Sequence, residues 1–184
     1  MKTLSLLVVL ALLSSLGCQP AARTVELRPN AMIFEVFRIN YAWGFSCGGC
    51  YVDASGNVHR YDCSALRDTI KSQEWRGREA ELLQRRFQMN DSILCRVSVS
   101  ELNDMRVLID KASKTPPSEE KQTANDAGAT SFRGFLYASG DGDSTELVLA
   151  TSGDFSREPS SVAATQLVEW LQQKCSCKDS VGNQ

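Results

Sequence analysis

From residue 31 onward, apolar and polar positions fall into two alternating periods, and the places where one gives way to the other mark the elements. Ala31-Met-Ile-Phe-Glu-Val-Phe-Arg-Ile-Asn-Tyr41 is rich in β-branched and aromatic residues. A period of two sets Ile33, Glu35, Phe37 and Ile39 on one side and Met32, Phe34, Val36 and Arg38 on the other. Apolar residues on both sides describe a largely buried strand. Ala42 to Gly49 reads as a turn-prone connection. Cys50-Tyr-Val-Asp53 and Asn57-Val-His-Arg-Tyr61 flank Ala-Ser-Gly56, a hairpin in which Gly56 supplies the positive φ of a tight turn.

Helical periods follow. Ser64 to Met89 is charge-rich, with Leu66, Ile70, Leu82, Leu83 and Phe87 available to line one side and Gly77 a possible break. Its arginines, Arg76, Arg78, Arg85 and Arg86, interleave with Glu74, Glu79 and Glu81, the composition of a solvated helix face rather than an anion site. Ser92 to Val97 reads as a short strand. Ser98-Val-Ser-Glu101 has the form of a capping box and launches Leu102, Met105, Leu108, Ile109 and Ala112 along one apolar face. Residues 114–130, with Pro116 and Pro117 and no period, read as a mobile loop. Ser131 to Ser139 and Thr145 to Thr151 form a hairpin. Ser160 or Ser161 caps a last helix whose Val162, Leu167, Val168 and Leu171 face inward. Strand runs joined by tight turns, with helices between, predict an α+β fold: an antiparallel sheet with helices packed on one face.

The N-terminus carries a different pattern. One basic residue, Lys2, precedes an apolar run from Leu4 to Leu16, which Ser15-Leu16-Gly17-Cys18 closes. A run this short, with small residues behind it, reads as an export signal rather than a membrane span. The cysteine directly after a small residue resembles a bacterial lipobox, with Ser15 where Leu is commoner. That resemblance implies lipidation of Cys18 as the mature N-terminus. Gln19, where aspartate favours retention at the inner membrane, implies the outer membrane. Residues 1–17 are then a signal peptide, 18–30 a tether, 31–177 a single domain with 64–92 as a helical insertion, and 178–184 a tail.

Cysteine count bears on the same point. The chain has seven cysteines, and an odd number in an exported protein leaves one to explain. Assigning Cys18 to lipid leaves Cys47, Cys50, Cys63, Cys95, Cys175 and Cys177, enough for three disulfides in an oxidising compartment. Spacing alone does not choose their pairing. The formal net charge is −2, which favours neither nucleic acid nor a polybasic attachment to anionic lipid, so the expected membrane contact is the lipid alone.

A resemblance covers about 31–63 and 96–174. The helix Ser98-Val-Ser-Glu-Leu-Asn-Asp-Met-Arg-Val-Leu-Ile-Asp-Lys-Ala112, the hairpin with Asp141-Gly-Asp-Ser-Thr-Glu-Leu147 and the helix with Leu167-Val-Glu-Trp-Leu171 are similar in layout to emfourin-type protease inhibitors and many small lipoproteins. It implies a fold, and inhibition only by analogy.

Candidate chemistry is sparse. Cys47-Gly-Gly-Cys50 has the spacing of thiol–disulfide enzymes, but it precedes strand-like residues instead of a helix N-terminus that would acidify the first thiol. The expected role of Gly48 and Gly49 is a tight bend. Cys175-Ser-Cys177 could join that pair as a four-thiolate zinc site, although a one-residue gap is unusual for ligands and export favours disulfides. His59 is the single histidine, which leaves no histidine-rich centre. Asp141-Gly-Asp143 lacks the ligand spacing of a calcium loop. Trp43 and Phe45 are candidate aromatics of a binding loop, with packing on the sheet as the competing role. The expectation is a non-enzymatic, lipid-anchored envelope protein without metal or cofactor, which binds another protein, a protease or an envelope component. The rival expectation is a periplasmic redox protein using Cys47 and Cys50.

Overall fold

The computed structural model describes residues 31–42, 44–66, 91–137 and 144–177. Strands β1 (Met32–Asn40), β2 (Ser46–Asp53), β3 (Asn57–Asp62) and β4 (Asp91–Arg96) are followed by helix α1 (Val99–Ser113). Strands β5 (Lys121–Gln122), β6 (Ala129–Tyr137), β7 (Ser144–Gly153) and β8 (Phe155–Ser156) lead to helix α2 (Val162–Cys175). Six strands form one antiparallel sheet in the order β4-β3-β2-β1-β6-β7, and β5 pairs with β8 beside it. The predicted α+β class and the placement of both helices on one face are observed.

The central strand shows why both of its faces are apolar. Phe34 and Val36 join Val52, Val58, Leu94, Leu102, Ile109, Leu167 and Leu171 beneath the helices. Phe37 joins Tyr51, Tyr61, Phe135 and the Cys47 and Cys63 sulfurs on the opposite face. A bulge alters the simple alternation. Met32 pairs with Asp53 and Phe34 with Val52, so two steps along β1 match one along β2. Ile33 therefore turns to the helix side and Met32 to the other, the reverse of the period-two assignment.

The helices begin where their caps lie. The Ser98 hydroxyl accepts from the Glu101 N–H at 3.2 Å and starts α1, while the Ser161 hydroxyl accepts from Ala164 N–H and starts α2. The reciprocal half of the capping box is absent. Glu101 Oε1 instead accepts from Trp170 Nε1 at 2.8 Å and from Lys174 Nζ at 2.8 Å, tying α1 to α2. Its ammonium partner, with burial opposing and the indole bond assisting, holds the carboxyl below its ordinary pKa. Trp170 also meets Phe34 edge-to-face at 5.2 Å. Val162, predicted to face inward, is 76% exposed. At about 100° per residue it lies across the helix from Leu167 and Leu171, so the core stripe leaves it in solvent.

Further expectations are corrected. The segment 114–130 contains β5, and its last residues, Ala129 and Thr130, already belong to β6. It is tied down where Asp154 O accepts from Thr123 N–H, the Asp154 carboxylate accepts from Ala127 N–H, and the Thr123 hydroxyl donates to Gly153 O. Residues 46–49 are strand rather than turn, as detailed below. Of the predicted helical insertion 64–92, Ser64–Leu66 form a short 3-10 turn, Asp91 and Ser92 belong to β4 rather than to a helix, and the rest lies outside the described residues, as do Asp141 and Asp143, the signal, the tether, Cys18 and the tail.

Candidate functional site

The pleat of β2 decides what Cys47 and Cys50 do. Residues three apart on a strand point to opposite faces, so the two sulfurs diverge. Cys47 bonds Cys63 on the face away from the helices, while Cys50 bonds Cys175, the last residue of α2. Cys95 of β4 bonds Cys177 just beyond that helix. The end of α2 is thus stapled to two different strands. Each of the six candidate cysteines has one of the others as its partner, and none bonds across the Cys-Gly-Gly-Cys motif.

The glycines between them serve close packing rather than a bend. A Cβ on Gly49 would lie 1.9 Å from the Val36 carbonyl oxygen, and one on Gly48 2.8 Å from that of Tyr61. β2 is squeezed between β1 and β3 at a spacing that side chains here would break. This corrects the expected turn at 42–49: the connection is shorter, and Ser46–Gly49 continue the sheet.

The bare strip made by Gly48 forms the floor of a cleft of about 580 Å³. Val36 and the Cys50–Cys175 bond supply apolar wall, and Arg38, Arg60 and Asp62 supply charge. The register explains their meeting. Arg38, Gly48 and Asp62 are cross-strand partners in one row, and Val36, Cys50, Arg60 and Ser92 lie in the next row on the same face. Arg38 and Arg60 are exposed, and neither makes an ion pair among the described residues. Asp62 Oδ1 accepts from Ser64 N–H at 2.8 Å, and that bond keeps its carboxyl below the usual aspartate pKa. None of these charged residues was singled out from the sequence. The available signal was Arg38 itself, the one charge in the row Met32, Phe34, Val36, Arg38.

Beside the cleft, the β1–β2 connection carries aromatic residues. Tyr41 is 54% exposed and its ring lies 5.6 Å from that of Phe45. Phe45 is half-buried against the Phe37 cluster, so its packing role is observed, and Tyr41 is the exposed partner that sequence reasoning missed. Trp43 lies outside the described residues.

The face opposite the helices carries buried polar groups. Tyr61 donates to the fully buried Glu35 at 2.6 Å, and Arg133 bridges Glu35 and Glu146 at 3.8 and 3.3 Å while lying over the Phe37 ring. Further along, Asp53 accepts from Ser55 N–H, Asn57 N–H and Asn57 Nδ2, and lies 3.1 Å from His59 Nε2. The His59 ring stacks on Tyr51 at 4.4 Å. These bonds shape the β2–β3 turn, with Gly56 at φ +83°. The two groups order the sheet, and Glu35 and Asp53, 0% and 4% exposed, offer no surface to a ligand.

The Asp53 carboxyl has a pH consequence. Burial raises its pKa, but the bonds from His59 and Asn57 outweigh burial and the net displacement is downward. A carboxyl depressed in the folded state contributes stability above its unfolded pKa of about 3.9, lost as pH falls through the folded value. Urea unfolding at pH 7 and below pH 4 is expected to show a larger acid loss in the wild type than in Asp53→Asn. Equal losses would contradict this assignment.

The fold and the cleft define a class: a disulfide-stapled α+β domain with a charged cleft at one end of its sheet. Comparison with protein-family models, curated proteins and solved structures gives no match to this chain.

Proposed function

We propose that this protein is a lipid-anchored, non-catalytic binding module of a bacterial envelope, at the outer membrane on the reading of Gln19, whose binding surface is the Tyr41 tip together with the adjoining cleft. The observation that carries this reading is the cysteine pairing. Six sulfurs are joined in three bonds that staple sheet to helix, and Cys18, directly behind the apolar run, is the sulfur left over. Disulfides that join separate elements suit a rigid scaffold, and an exposed aromatic beside a concave surface suits protein recognition.

A photo-crosslinking residue placed at position 41 in the envelope-bound protein tests this reading. A discrete protein adduct is expected from position 41 and not from position 107, where the exposed Val107 lies on α1. Equal labelling at both positions, or none at 41, would overturn it. Inhibition of a metalloprotease is the sub-case implied by the emfourin resemblance. It requires that the crosslinked partner be a protease and that the purified protein slow it.

A further inference from the structure

We infer that the cleft over Gly48 receives an extended acidic segment of a partner protein, its carboxylates taken by Arg38 and Arg60; this inference rests on the binding-module reading above. The two arginines stand on β1 and β3, with β2 between them. Two strand spacings and a two-residue offset put their Cα atoms about 12 Å apart. Arginine side chains from those positions reach over a floor that Gly48 leaves bare. Neither guanidinium has an ion-pair partner among the described residues, so neither need abandon one to take a ligand. A planar fork of donors suits a carboxylate bidentately.

The rest of the lining selects a peptide over a bare oxyanion. A peptide differs from a bare oxyanion in bringing N–H donors, which the Asp62 carboxylate in the lining can accept. Ser46 and Ser92 add hydroxyls that serve as donor or acceptor. The half-buried Cys175 offers apolar contact to the stems of acidic side chains. The volume lies within the range of ligand pockets.

The test uses the full, disulfide-bonded, lipidated chain in non-ionic detergent, titrated calorimetrically with an acetylated hexaglutamate peptide. Binding is expected, weakened about tenfold or more in Arg38→Ala/Arg60→Ala, which removes both charge-assisted contacts. Raising salt should also weaken it. Because both arginines are exposed, an unchanged circular dichroism spectrum and disulfide map separate lost binding from lost folding. Absence of peptide binding, or binding indifferent to the double substitution, overturns the inference. So does arginine-dependent binding of inorganic phosphate or phosphatidylglycerol vesicles with none of the peptide. Crosslinking at position 41 by a wild-type protein that does not bind the peptide would remove this inference and leave the binding-module reading standing.

Discussion

Replacing Cys50 and Cys175 together by serine is expected to cost about 4–5 kcal/mol of folding stability in the chain-entropy model. The bond closes a span of 125 residues, and its loss frees the unfolded chain while untying the end of α2 from β2. Replacing Cys47 and Cys63 together removes a bond across only 16 residues and should cost less, about 3 kcal/mol in the same model. Urea denaturation of the two double variants under non-reducing conditions checks both the size and the order. A Cys50/Cys175 variant as stable as the wild type would contradict the stapled scaffold. Serine at both positions leaves no new thiol to pair elsewhere, which keeps the comparison clean.

Gly49→Ala is the second large effect. The added methyl would lie 1.9 Å from the Val36 carbonyl oxygen and 3.0 Å from its carbon, both backbone atoms of the central strand. No rotamer relieves that clash. β1 and β2 must separate, breaking a ladder that runs from Met32 to Asn40, and the expected cost is about 3 kcal/mol or more. Gly48→Ala approaches the Tyr61 oxygen at 2.8 Å and should cost less. The same denaturation measurement separates this account from that of a flexible bend. If these glycines served only to turn the chain, substitution at 49 would be no worse than at 48.

Much of this fold was written in local patterns. The Ser98 and Ser161 caps, the Gly56 turn and the apolar stripe Leu102, Ile109, Ala112 are interactions between residues a few positions apart, and each was legible. What escaped depends on distant partners. Glu101 has the spacing of a capping-box acid, yet Trp170 and Lys174, brought alongside by the α1–α2 packing, take its carboxylate. Gly48-Gly49 resembles a bend until β1 and β3 close in on either side. The β1 bulge exchanges the faces of Met32 and Ile33, which no period of two reports.

The candidate site was less legible than the fold for the same reason. Cys47 and Cys50 were visible as a motif, but their separation by the pleat follows only once β2 is a strand through Gly49. Arg38, Arg60 and Asp62 lie on different strands and meet through register alone. Tyr41 was overlooked beside Trp43 and Phe45, although burial now leaves it the more exposed of the two described aromatics.

Six cysteines frame the domain, we propose that the seventh carries a lipid, and peptide mapping of the native protein without reduction tests both most directly. Trypsin places Cys47 and Cys50 together in residues 39–60, Cys63 in 61–67, Cys95 in 87–96, and Cys175 with Cys177 in 175–178. The pairing predicts that these four peptides run as one covalent assembly, and the proposed lipid anchor predicts that residues 18–23 carry acyl chains on Cys18. Residues 39–60 running alone with an internal Cys47–Cys50 bond, or an unmodified Cys18 in the mature chain, would contradict it.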